Sequence, residues 1–178
     1  LSGDLKYGLC QDCCQENSSN DWCQSCNAER FTKSFSNWSS GNKQIDMFIQ
    51  NAQVNASDHY EVIEWIPQDE LTKVTFIANG KYSSNYKAIW TKGDILSWNH
   101  DKNDWFRFRG SINNDWTYSQ NSNGSGLTGR LVSLKSFQDP SDIISEIEKN
   151  DDMLLPLFGI TQHPKTLEYM VVTSYAEG

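Results

Sequence analysis

The first sustained apolar pattern along the chain is helical. Ile45, Phe48, Ile49 and Ala52 recur at three- and four-residue spacing behind Ser39-Ser40-Gly41-Asn42, a run of small polar residues suited to a helix entry. Acidic and amide residues occupy the other face, so the spacing predicts a short amphipathic helix that packs on a neighbouring domain rather than on a membrane. Glu61-Val62-Ile63-Glu64-Trp65-Ile66-Pro67 then leads into the second half. From Leu71 the period becomes that of strands. Val74-Thr75-Phe76-Ile77 and Tyr86-Lys87-Ala88-Ile89-Trp90 predict a hairpin around a turn at 78–84, and Leu131-Val132-Ser133-Leu134-Lys135 predicts a further strand. Asp139-Pro140 starts a helix with Ile143, Ile144 and Ile147 on one face. Strands at 155–160 and 169–174, joined by a His163-Pro164 turn, close the pattern.

Residues 91–129 interrupt this order with a stretch rich in Asn, Asp, Ser, Gly and Trp. It predicts a hairpin of 105–109 against 116–118, followed by a flexible segment at 121–126. Trp98, Trp105, Phe106, Trp116 and Tyr118 are expected to pack among themselves; a surface for sugars or a partner is the competing use of the same rings.

Composition narrows the function classes. The 178 residues suffice for one ordinary domain, or one domain with a small satellite. A formal net charge of −8 leaves no basic field to neutralise phosphates, so nucleic-acid binding is not expected. Only 37% of residues are hydrophobic, but 12% are aromatic, with seven Trp, and these supply the apolar bodies for a core. No run approaches the length of a membrane helix, and the first thirty residues lack the basic start and apolar core of a signal peptide. Leu1 at the start, and the apolar run Tyr169-Met170-Val171-Val172 just before Gly178, read as cuts through a longer protein.

All five cysteines lie between Cys10 and Cys26. Four are spaced Cys10-x2-Cys13 and Cys23-x2-Cys26, and two such short turns can converge four thiolates on one tetrahedral ion, with zinc the leading metal. Two disulfides or unligated thiols are the alternative. Cys14 is left over, and a free thiol suits a reducing, cytoplasmic compartment. A four-thiolate site offers no open position to a substrate, so its role would be in folding. His59, His100 and His163 stand singly, without ligand or nucleophile spacing, and take no chemical role. The Asn-x-Ser/Thr sequons at Asn17, Asn37, Asn55 and Asn123 are expected by chance in so Asn- and Ser-rich a chain.

The order strand, glycine turn, strand, strand with an inward lysine, helix with a glutamate, strand, strand resembles the small lobe of a protein kinase over residues 68–178. The whole chain, cysteine leader included, resembles kinase-like families expanded in some fungi. Ile77-Ala78-Asn79-Gly80-Lys81-Tyr82-Ser83-Ser84-Asn85-Tyr86-Lys87-Ala88 stands where the family has its glycine-rich phosphate loop, and Val132-Ser133-Leu134-Lys135 where it has Val-Ala-Ile-Lys. The resemblance implies an α+β fold: a four-cysteine zinc knuckle over 1–38, a connecting helix and linker over 39–67, and a five-stranded antiparallel sheet with one helix over 68–178, interrupted by the insertion at 91–129. It implies ATP with Mg2+ as cofactor. Lys135 would bridge the α/β-phosphates and pair with Glu146, or failing that Glu148. Ala78, Asn79, Gly80, Ser83 and Asn85 would line the phosphate and adenine side, Thr173 would be the gatekeeper, and Ser174, Tyr175 and Ala176 the hinge.

Asn85 replaces the family's hydrophobic residue over adenine, and Ala78 and Ser83 stand at two of its glycine positions. Leu157-Phe158-Gly159 lacks the carboxylate of a metal-binding Asp-Phe-Gly turn and reads as strand. Neither that turn nor a His-Arg-Asp segment occurs in these residues. The implied function is therefore the ATP-binding part of a protein kinase acting on a protein hydroxyl, not competent for transfer alone. A pseudokinase or scaffold lobe that contacts a signalling partner is the alternative.

Overall fold

The computed structural model describes residues 3–120, 126–149 and 155–176. The segment expected to be flexible, 121–126, lies outside them except for Gly126, as do Asp151 and Asp152 beside the acidic helix. The described residues form an α+β structure with three α-helices and a mixed sheet. The chain divides into two compact units: 1–63 with 95–106, and 64–94 with 107–178.

In the first unit, helix α1 (Gln24–Ser34) packs on helix α2 (Lys43–Asn55). Asn42 caps α2, its side chain accepting from the backbone N–H groups of Gln44 and Ile45, which satisfies two otherwise orphaned donors. Ile45 and Ile49 of the apolar stripe are fully buried, while Phe48 and Ala52 are half-buried. Aromatic rings join Ala56, Val62 and Ile95 in the core. Trp22 is fully buried and donates Nε1–H to the Ala56 carbonyl at 2.9 Å. Trp105 stacks on Phe31 with ring centroids 4.8 Å apart, and on Trp22 at 5.8 Å.

Trp105 reaches this core from the stretch read as an insertion. There strand β4 (Ile95–Asn99) pairs with strand β5 (Asp104–Arg107). The expected pairing of 105–109 with 116–118 is thus replaced. Residues 105–107 are taken by β4, and Tyr118 instead bridges Ile112 across a turn closed by Asn113 N–H to the Thr117 carbonyl. Trp98 and Trp105 meet edge to face at 5.0 Å, so the insertion's rings do pack on one another, but Trp105 also serves the cysteine-bearing unit.

The second unit is built on a sheet ordered β1-β8-β9-β7-β3-β2, from β1 (Glu64–Trp65), β2 (Leu71–Asn79), β3 (Ser84–Trp90), β7 (Thr128–Phe137), β8 (Leu157–Gln162) and β9 (Tyr169–Ser174). A short β6 (Gly110–Ser111) pairs with β7, and helix α3 (Pro140–Lys149) connects β7 to β8 and packs on β7 and β9. The five strands expected from the sequence pair antiparallel with one another. The sheet as a whole is mixed rather than antiparallel, because β1 joins β8 in parallel. The reason lies at Gly159, where a Cβ would fall 2.1 Å from the Glu64 carbonyl oxygen. Only glycine permits that approach, which accounts for the Leu157-Phe158-Gly159 triplet as strand. Ile66, placed in the linker by its sequence context, is fully buried in the sheet core with Leu71, Trp90, Val132, Leu134 and Met170.

Replacing Trp105 with Ala removes the two ring contacts and opens a cavity against Trp22 and Phe31. We expect a loss of about 2–3 kcal/mol in the stability of the cysteine-bearing unit, read by urea denaturation. A variant as stable as wild type would mean that β4–β5 is a dispensable excursion.

Candidate functional site

Strand β7 places the predicted lysine. Its register is unbroken on both sides, setting Asn85 of β3 opposite Lys135 and Lys135 opposite Val171 of β9. Ser133 and Thr173 form the next paired row, and side chains two apart on a strand share a face. These five residues, with Ile77, Phe137, Glu146 and Ile147 among others, line a cavity of about 200 Å³. The opposite face carries Ala88, Val132, Leu134 and Val172, all buried in the core. An alternation that buries one face leaves the Lys135 face for the cavity.

Lys135 Nζ lies 3.2 Å from Glu146 Oε1 of α3, the partner that the resemblance implies ahead of Glu148. The two side chains are 44% and 37% exposed. At such exposure the pair adds only about 0–1 kcal/mol to stability. Its consequence is positional: the ammonium is held at the cavity wall, 5.3 Å from the Phe137 ring centroid.

Of the other predicted nucleotide contacts, Asn85 and Thr173 line the cavity, whereas Ala78, Asn79, Gly80, Ser83, Ser174, Tyr175 and Ala176 do not. Ala78 pairs with Asn85 and Asn79 with Ser84, beyond a shift of register between Phe76 and Ala78, so the hairpin stays paired up to its tip. There Gly80 N–H donates to the Ser83 carbonyl at 2.7 Å, closing a tight turn. At the other end Ser174 N–H donates to the Pro156 carbonyl, and Tyr175 N–H to that of Leu131. The apolar contributions of Ile77 and Ile147 to the cavity were not foreseen; β2 periodicity and the isoleucine stripe of α3 carry that signal.

A second candidate centre lies in the first unit. Cys10 and Cys13 sit on a tight turn in which Cys14 N–H bonds to the Cys10 carbonyl and Asp12 N–H points at Cys10 Sγ, 3.4 Å away. Cys23 is the residue before α1, and Cys26 follows within its first turn. The four sulfurs lie within 4.8 Å of one another. Cys10 and Cys26 Sγ are 3.8 Å apart and Cys13 and Cys23 Sγ 3.6 Å. A tetrahedron of sulfurs about 2.3 Å from a central ion has edges of about 3.8 Å. None of the five cysteines is joined in a disulfide, and the four can hold a metal ion such as zinc.

The electrostatics of the thiols differ. Burial opposes ionisation of Cys10, but backbone N–H groups of Cys13 and Asp12 and the adjoining Cys23 and Cys26 thiols outweigh it, bringing Cys10 down to about 7. Burial pushes Cys23 and Cys26 up, with neighbouring thiols adding to the rise at Cys26. A cation would offset the mutual repulsion that ionising all four entails.

No protein-family model and no curated protein sequence matches the chain.

Lys135→Ala should leave the thermal unfolding midpoint nearly unchanged, since the pair it breaks contributes under about 1 kcal/mol. A large drop in the midpoint would show that Lys135 is a structural element of the sheet unit.

Proposed function

We propose that residues 64–94 and 107–178 act as a protein-kinase-like small lobe that binds ATP with Mg2+, and that the four cysteines hold one structural zinc ion. The observation that carries the nucleotide reading is the Lys135–Glu146 pair at 3.2 Å on the wall of a cavity that Asn85 and Thr173 also line. Its support is chemical. A lysine whose ion pair contributes little to stability is available to a polyanion, and Glu146 fixes where the ammonium stands. The hairpin, the lysine strand, the acidic helix and the two closing strands join in one sheet-and-helix unit, as the resemblance implies.

In this reading Lys135 contacts the α/β-phosphates, Glu146 positions it, and the cavity beside Thr173 takes the base. Phosphoryl transfer to a Ser, Thr or Tyr hydroxyl also requires a base for the acceptor and carboxylate ligands for magnesium. Residues 1–178 contain neither motif that supplies them in the family, so the chain by itself binds and does not transfer. The scaffold or pseudokinase reading has observations of its own. The N–H groups of Gly80, Ser174 and Tyr175 are committed to backbone carbonyls, and Asn85 replaces an apolar contact in the cavity.

Titration calorimetry with Mg-ATP separates the two. ATP binding predicts saturable heat for wild type and at least tenfold weaker affinity for Lys135→Ala. Absence of saturable binding in the wild type overturns the nucleotide reading in favour of a scaffold.

For the cysteines, metal analysis of protein purified without added metal should give one zinc per chain, lost on Cys10→Ser with Cys26→Ser. Disulfide-linked peptides in the mass spectrum of the same protein would contradict the zinc assignment.

A further inference from the structure

Beside the four cysteines, wholly within the first unit, lies a cavity of about 370 Å³ whose lining shares only Cys10 and Cys23 with the zinc reading and nothing with the nucleotide reading. Its size falls in the range of about 300–1,000 Å³ common to small-ligand sites. The N-terminal loop, α1 and the β4–β5 hairpin each contribute to its lining.

Among its lining residues is Asn27, whose exposure is 1%. Asn27 Oδ1 accepts from Arg30 Nη1 at 2.7 Å, which orients the amide. Its Nδ2 has no hydrogen-bond partner among the described residues. A buried, unsatisfied amide donor costs about 1–3 kcal/mol, so an acceptor brought to it by a ligand is rewarded.

The charges around the cavity restrict what that ligand is. Arg30 is already ion-paired with Asp12 and lies over the Trp98 ring, 4.3 Å from its centroid. His100 Nδ1 is 3.4 Å from the same Asp12 carboxylate. An anion would therefore compete with Asp12 for Arg30. Asp21 lines the same cavity with Cys10 and Cys23, and its carboxylate favours positive charge. A simple cation brings no acceptor and leaves Asn27 unsatisfied, and a neutral polyol can hydrogen-bond to both sides but does not match the charge of Asp21. A peptide amino terminus carries an ammonium and, two bonds further on, a carbonyl acceptor. Tyr7 and Phe106, also in the lining, give its first side chain an apolar wall.

We propose that this cavity binds the free amino terminus of a peptide, with the α-ammonium on Asp21, the first carbonyl on Asn27 Nδ2, and the first side chain against Tyr7 and Phe106. The site is independent of ATP binding, so failure of the nucleotide titration leaves it standing.

The test uses the whole chain, labelled with nitrogen-15, and the tetrapeptide Ala-Ser-Ala-Gly with either a free or an acetylated amino terminus. Titration of the free peptide should move the Asn27 side-chain amide resonances in a saturable way, and the acetylated peptide should bind at least tenfold more weakly. Asp21→Asn preserves the fold, because asparagine tolerates the left-handed backbone at this position (φ 51°), and it should also weaken binding at least tenfold. Unmoved Asn27 resonances at millimolar peptide, equal binding of the acetylated peptide, or unaltered binding by Asp21→Asn would each overturn the proposal. So would saturation of the same resonances by a neutral oligosaccharide with no response to the free peptide.

Discussion

The candidate nucleotide site depends on the register of one strand. β7 runs in the middle of its sheet, paired without a bulge to β3 on one side and to β9 on the other. A slip of one residue on either side would turn Lys135 toward the core and bring Val132 and Leu134 out of it. The buried row of Val132, Leu134, Met170 and Val172 prevents that slip, since apolar burial stabilises by about 25 cal/mol per Å² and exposing the row would forfeit it. Core packing thus holds the ammonium in place, and the weak ion pair with Glu146 only refines its position. Separating the group that is held from the energy that holds it leaves Lys135 free for a ligand.

The cysteine-bearing unit solves a different problem. Its sequence is polar, and α1 buries only Asn27 and Phe31. Ring stacking of Trp22, Phe31 and Trp105, packed with Ala56, Val62 and Ile95, supplies much of its core, and it draws on a hairpin far along the chain. That core brings Cys23, at the entry of α1, and Cys26 within it to the turn bearing Cys10 and Cys13. The same convergence of loop, helix and hairpin leaves the second cavity beside the thiols. The thiol cluster and the cavity of this unit therefore rest on one packing arrangement.

Much of this was legible in the sequence where the signal was local. The entry of α2 at Asn42, the strands of the sheet, the paired cysteines and the Lys135–Glu146 partnership follow from spacing or from the family likeness. Helix α1 was missed because a helix with one buried apolar side chain has almost no periodic signal. The parallel strand β1 was missed because two residues carry no alternation, and its docking is set by Gly159, far beyond Glu64 in the chain. The pairing inside 91–129 was misassigned because several aromatic segments there compete as strands, and burial against Trp22 and Phe31 decides among them. The closed turn at Gly80 and the committed N–H groups of Ser174 and Tyr175 are matters of hydrogen-bond geometry that residue types do not encode.

The central claim is that the Lys135 ammonium sits where nucleotide phosphates would lie. A lysine-reactive acyl phosphate of ATP, applied at limiting concentration and followed by peptide mapping, tests it at the atom concerned. The account predicts that label concentrates on Lys135 and disappears when excess Mg-ATP is present. Label spread over the exposed lysines without regard to Mg-ATP, with Lys135 no more modified than the rest, would contradict it.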